Sequence, residues 1–263
     1  MPKSITTIVL SAALLSGITA SRANAEGWGN LTGRFLYDGP IPTPKKLDVK
    51  GDAMCAKHGL VDQELIVGKD KSLANVVVFL YSKRGQVIPI HGDYKALEKQ
   101  KVVLNNKNCA FVPHVATMWY KQPLELKNSD PVAHNTKADF FTNEPFNIQI
   151  PAGASLTKKL EAAERLPTTI SCGSHPWMQS RLVVRPDPYV TTTGADGKFT
   201  IKNLPAGEWT FQFWHEKWGY VSKVRIDGKK IAWKRGRPAL SIEDGETLDI
   251  GVVSVNPDDY VKK

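Results

Sequence analysis

Four residues carry donor atoms of a kind, and in an order, that suit a soft metal ion: His134, Cys172, His175 and Met178. Two imidazoles and a thiolate make a trigonal plane, and a thioether adds a long, weak axial contact. Such a set suits copper moving between Cu(I) and Cu(II). The last three donors sit in Cys172-Gly173-Ser174-His175-Pro176-Trp177-Met178, a Cys-x2-His-x2-Met loop tight enough to return three side chains to one centre. The remaining histidine must then come from the end of a separate, earlier strand, where Asn128-Ser129-Asp130-Pro131-Val132-Ala133-His134-Asn135 stands. Taken singly, each residue has a plainer meaning. A lone His at a strand end is usually a hydrogen-bonded structural residue, and a lone Met is usually core packing. Zinc is the nearest rival ion, but a thioether is a poor zinc ligand, and structural zinc takes Cys or His in its fourth place.

The loop Cys-x2-His-Pro-Trp-Met, with the His134-Asn135 pair before it, resembles the cupredoxin (blue-copper) family, with a ligand loop similar to the amicyanin/plastocyanin type. The resemblance spans the middle of the chain. It implies a Greek-key β-sandwich holding one type 1 copper ion, with His134 and His175 binding through imidazole nitrogen, Cys172 as thiolate and Met178 axially. It also implies that Asn135 ties the two ligand loops together by hydrogen bonds and supports the thiolate, the kind of outer contact that tunes a metal. A simple turn asparagine is the plain alternative. Pro176 and Trp177 stand where the family has an apolar collar around the exposed edge of the second histidine, the usual route for electrons. A buried packing role suits Trp177 equally well.

Other histidines carry less. His114, in Phe111-Val112-Pro113-His114, reads as a core or surface residue before it reads as an extra ligand, and Met118 follows on the same strand. His215 lies in an aromatic-rich strand end, Phe213-Trp214-His215-Glu216. Cys55 and His58 have a Cys-x2-His spacing, but a single pair is weak and a disulfide competes for the thiol. Three cysteines are an odd number for an oxidising compartment. The simplest arithmetic pairs Cys55 with Cys109 and leaves Cys172 as the metal thiolate, an assignment that spacing alone does not prove.

The elements that must position these residues are mostly strands. Lys3, the apolar run 5–18 and the small-residue signal Ala23-Asn24-Ala25 read as a secretory leader over residues 1–25. No later stretch approaches the roughly 18 apolar residues of a spanning helix. Residues 31–37 alternate and end at the Asp38-Gly39-Pro40 turn; residues 74–80 form an apolar run fit for a strand buried on both faces. Residues 93–100 suit a short helix or a loop. Strands follow at 102–104 and 111–118 around an Asn105-Asn106-Lys107-Asn108 turn, then at 124–127 and 146–150. Residues 156–160 fit strand or helix, and residues 168–171 must be extended to deliver Cys172. Beyond residue 186, Gly194-Ala195-Asp196-Gly197 reads as a hairpin turn, and alternation resumes at 198–201 and 208–214.

The wording Asp-Gly-x-Phe-x-Ile-x-x-Leu-Pro-Ala-Gly-x-Trp over residues 196–209 resembles the carboxypeptidase regulatory-like (transthyretin-like) β-sandwich, and residues 31–37 resemble its opening strand. The expected chain is therefore all-β: a cupredoxin sandwich over 73–185, a second, smaller sandwich over 186–263, and an N-terminal segment 26–72 lending it a strand. The formal net charge of +9 favours acidic partners or an anionic envelope surface by steering, and solubility alone explains it equally well. Scattered lysines and an export leader speak against nucleic acid. The expected function is an exported, non-enzymatic one-electron carrier in the periplasm or medium, serving a redox protein such as a cytochrome or dehydrogenase. Its rivals are an envelope copper-handling protein and an interaction protein whose second sandwich binds glycan or a surface partner. A copper nitrite reductase-like enzyme would need a further histidine cluster, which the sequence does not offer.

Overall fold

The computed structural model describes residues 27–49, 52–83 and 85–260, and the leader over 1–25 lies outside them. The chain is all-β. Among the described residues the helical pieces are short: Ala53–Ala56 and the 3-10 segments Gly92–Lys99, Lys234–Gly236 and Pro257–Tyr260. Four sheets stack into two sandwiches.

The first sandwich joins the two ends of the chain. Strand Trp28–Tyr37 alternates in and out without a break, as its sequence demands. It lies between Lys198–Pro205, antiparallel, and Thr247–Val255, parallel. The facing sheet runs Val190–Thr192, Val77–Leu80, Gly207–His215, Gly219–Tyr220. Leu31 and Phe35 from one sheet meet Val78, Leu80, Phe211 and Phe213 from the other in one buried cluster. Val77–Leu80, grouped by sequence order with the segment that follows it, thus hydrogen-bonds instead to Gly207–His215.

The Gly194–Gly197 turn also differs from its reading as a hairpin. Its flanking strands Val190–Thr192 and Lys198–Pro205 lie in different sheets, so it is a corner between layers. Gly197 has φ of +76°, and a Cβ there would stand 2.3 Å from the Phe35 carbonyl oxygen, which only glycine avoids.

The second sandwich carries the candidate ligands. One sheet runs Val115–Trp119, Gln179–Arg185, Thr168–Ser171, His134–Ala138, Phe146–Ile150; the other runs Ala110–Val112, Val102–Lys107, Leu124–Asn128, Ser155–Lys158. The run read as one strand over 111–118 is split at Pro113, which has no N–H for a ladder, and its halves join opposite sheets. The turn expected at Asn105–Asn108 comes later. Asn105 and Asn106 continue their strand, with the Asn106 amide donating to the Lys127 carbonyl, and Asn108 and Cys109 make the turn with φ of 54° and 55°. The ambiguous run at 156–160 is strand Ser155–Lys158.

The two sandwiches share one strand's two faces. Val78 and Leu80 point into the first core, while Val77 and Phe79 pack against Val115 and Val183 of the second. Arg185 crosses the same seam with its guanidinium 4.0 Å from the Phe79 ring centre. The Cys55–Cys109 disulfide, expected from the cysteine count, is present with Cα atoms 5.5 Å apart. It closes a loop of 54 residues' separation, worth roughly 4 kcal/mol by chain entropy. Phe35 is fully buried with Phe199 and Phe213 rings 6.0 and 5.6 Å away. Phe35→Ala should therefore cost about 3–5 kcal/mol in chemical denaturation; a loss below 1 kcal/mol would contradict this packing.

Candidate metal centre

Two strand ends and one loop bring three of the predicted donors, His134, Cys172 and His175, together. His134 opens strand His134–Ala138, and Cys172 follows directly on strand Thr168–Ser171, its antiparallel neighbour. The loop back to Gln179–Arg185 is closed by its own backbone: the Met178 N–H donates to the His175 carbonyl (2.8 Å) and the Cys172 N–H to the Met178 carbonyl (3.2 Å). His134 Nδ1 stands 2.9 Å from His175 Nδ1, and His175 Nδ1 stands 3.5 Å from Cys172 Sγ. The donor atoms of His134, Cys172 and His175 all lie within 4.8 Å of one another. Donors held at about 2.0–2.3 Å around one ion in a trigonal plane stand roughly 3.5–3.8 Å apart, so the trio is spaced to close on a single ion. Met178 is buried in the same core cluster as Cys172.

The site is dry and braced from outside. His134 is 1 %, Cys172 2 %, Met178 1 % and His175 8 % exposed. The outer nitrogen of each ring meets a carboxylate: His134 Nε2 lies 2.9 Å from Asp130 Oδ2, and His175 Nε2 lies 3.0 Å from Asp52 Oδ2. A carboxylate only accepts, so each ring carries a proton on Nε2, and the Nδ1 atoms are the nitrogens that face the shared centre. This is the outer support that metal-ligating histidines ordinarily have. Asn128, itself fully buried, shapes the approach: its amide reaches the Val132, Ile150 and Pro151 carbonyls, and its Oδ1 accepts from Asp130 N–H.

Asn135 bridges the two loops. Its Oδ1 accepts from Gly173 N–H at 2.8 Å and Ser174 N–H at 3.3 Å, and stands 3.2 Å from Cys172 Sγ. Pro176 is exposed, and Trp177 is half-buried with its ring centre 5.2 Å from that of His175. The outer edge of His175 is covered by Asp52 rather than open, which a collar of Pro176 and Trp177 alone would not do.

The remaining histidines take structural places. Nε2 of His114 pairs with Glu216 Oε2 at 2.6 Å, and Glu216 also accepts from Arg181. His215 is fully buried beside Trp218, and burial pushes it down to about 4. Met118 is core. His58 joins no metal-capable group among the described residues.

Asp52 and Asp130 are the functional side chains that the sequence reading missed. The Asp130-x3-His134 spacing was visible, but Asn128-Ser129-Asp130 also reads as an ordinary strand end. Asp52 caps a helix of four residues, too short to show a pattern, and its histidine lies 123 positions away.

No family model and no curated protein matches this chain. Among solved structures, similarity is found to a Cu-containing nitrite reductase from Thermus scotoductus SA-01 (15% identity, TM-score 0.30, 40% of this chain), of which this chain spans only 25%. It is also found to a purple cupredoxin from Nitrosopumilus maritimus (18%, TM-score 0.27, covering 32% of this chain and 98% of that one). A third is amicyanin from Paracoccus versutus (14%, TM-score 0.29, 41% and 97%).

Burial holds the His134 imidazole below its ordinary value, against the pull of Asp130 and with the His175 ring adding to the effect. A ring whose folded value lies below its unfolded value resists protonation when folded. The unfolded chain then binds the extra proton, and stability falls as pH drops below about 6.5. In metal-free protein, an NMR titration should find His134 changing charge below pH 6.5; a midpoint at or above that value would refute the burial argument.

Proposed function

We propose that this chain is an exported type 1 copper protein that carries one electron at a time between redox partners, with His134, Cys172, His175 and Met178 as its ligands. The observation that carries this reading is the convergence of two Nδ1 atoms and one thiol sulfur inside 4.8 Å, with both outer ring nitrogens on carboxylates. The donor chemistry fits: two imidazoles, a cysteine sulfur and a thioether on the same loop favour copper over harder ions. Bound copper would supply a Cu(I)/Cu(II) couple.

The chain's own residues do the rest. Asp130 and Asp52 fix the tautomer and plane of the two rings, so the donors are pre-set and little need move between oxidation states. Asn135 holds the Cys172 loop against the His134 strand and places an acceptor oxygen beside the sulfur. The donors are buried, which suits electron passage, and the open space nearest them is a cavity of about 320 Å³ lined by Met178 and Trp177. Trp177 and Pro176, beside His175, form the edge nearest the surface, and a cytochrome or dehydrogenase with an acidic rim suits a chain of formal net charge +9. The disulfide fits an oxidising compartment, and among the described residues no helix is long and apolar enough to cross a membrane.

The test is spectroscopic. Purified protein given copper should develop an intense visible thiolate-to-copper charge-transfer band, and Cys172→Ala should abolish it. A band that survives Cys172→Ala, or none in the unaltered protein, would sink the proposal. Rapid loss of copper to a mild chelator would point to copper handling instead of electron carriage.

A further inference from the structure

The two carboxylates behind the histidines meet at one covalent bond. Asp52 Oδ1 accepts from Cys55 N–H at 2.8 Å and from Met54 N–H at 3.0 Å, while its Oδ2 faces His175. Asp130 Oδ2 accepts from Cys109 N–H at 2.8 Å and faces His134, and its Oδ1 accepts from Asn108 N–H. Cys55 and Cys109 are the two halves of the disulfide. Starting from either cysteine, the path runs backbone N–H, carboxylate, imidazole, and both paths end on the same pair of facing Nδ1 atoms.

The two arms are unequal. Asp130 is 4 % exposed and set by Asn128 inside the second sandwich, so it has support of its own. Asp52 belongs to a segment with little regular structure, whose four-residue helix and isolated Lys46–Val61 bridge tie it to itself and whose bonds outward, among the described residues, include Asp52 to His175 and Glu64 to Lys217. Met54 and Leu60 lean on the core, but the disulfide is the covalent tie that holds this segment over His175. Cys55 and Cys109 are both fully buried, so a reductant reaches the bond only when this segment opens locally; the nearest open space is a cavity of about 320 Å³ that Cys109 lines with Leu47, Leu60, Phe111, Trp177 and Met178.

We infer that the Cys55–Cys109 disulfide is a clamp that positions Asp52 and Asp130 behind the two histidines, and that its reduction by a dithiol releases the Asp52 arm and weakens the metal centre. This rests on the reading of His134, Cys172 and His175 as copper ligands. The exchange balances: the dithiol gives two electrons and two protons, the Cys55–Cys109 S–S bond breaks to two thiols, and the donor closes its own disulfide. Asp52 and Asp130 act through the imidazoles and are positioning residues. The consequence is a copper affinity set by the thiol–disulfide state of a bond that touches no copper.

The experiment compares metal-free protein before and after reduction with a phosphine that is then removed without air. Ring nitrogen NMR reads the tautomers of His134 and His175, and chelator competition reads copper affinity. In the oxidised protein both rings should be Nε2–H. After reduction His175 should become a mixture of tautomers while His134 changes less, and copper affinity should fall at least tenfold, the scale of lost outer-shell support. Unchanged His175 and unchanged affinity overturn the clamp. If the tautomers shift as stated but neither form binds copper, the copper reading fails and the clamp stands. Should reduction unfold the chain, the paired substitution Cys55→Ala/Cys109→Ala decides: His175 mixing and an affinity loss matching those of Asp52→Ala support the inference, and wild-type values in the paired variant overturn it.

Discussion

Two imidazole nitrogens face each other at 2.9 Å between largely buried rings. The arrangement persists because each ring is held from behind by a carboxylate and from the side by the Asn135 bridge. The local architecture follows from that demand. Asn128 is buried to aim Asp130; Asn108 and Cys109 take left-handed backbone angles so that their amides reach it; a short capped helix is folded over the top to deliver Asp52.

The sandwich beneath supplies rigidity of another kind. His134 and Cys172 stand at the adjacent ends of two hydrogen-bonded strands, so their separation is set by the sheet and not by loop geometry. His175 and Met178 are fixed by the loop's two internal backbone bonds. Behind this, Val115 and Val183 abut Val77 and Phe79, and Glu216 reaches from the first sandwich to His114 and Arg181 of the second. Apolar burial and a buried charge cluster thus hold the two layers in register along one seam.

Much of this was written in the order of residues. The candidate donor set stands out because four uncommon side chains recur at a fixed spacing; the strands read at 31–37, 124–127 and 146–150 follow from alternation, and 168–171 from the need to deliver Cys172. What could not be read was partnership at a distance. The run at 77–80 announces a strand buried on both faces but not which strands flank it, and its neighbours come from positions 190–192 and 207–215. Asn105 and Asn106 look like turn residues because local propensity favours turns for asparagine; a ladder to Leu124–Asn128 overrides it. Asp52 was invisible because its meaning exists only once His175 is folded against it.

The chain leaves the outer sandwich after Leu80 and re-enters it at Val190, and the strands at these two points are paired, with Val190 opposite Phe79. A whole unit carrying His134, Cys172, His175 and Met178 therefore hangs from a gap one strand spacing wide, the geometry of a cassette set into a host between neighbouring positions. Yet the cassette is not self-sufficient, since all four donors lie within it while Asp52 and Cys55 are lent by the host's leading segment. Transplanted alone, residues 81–189 would carry all four of these side chains but only one of the two carboxylate braces.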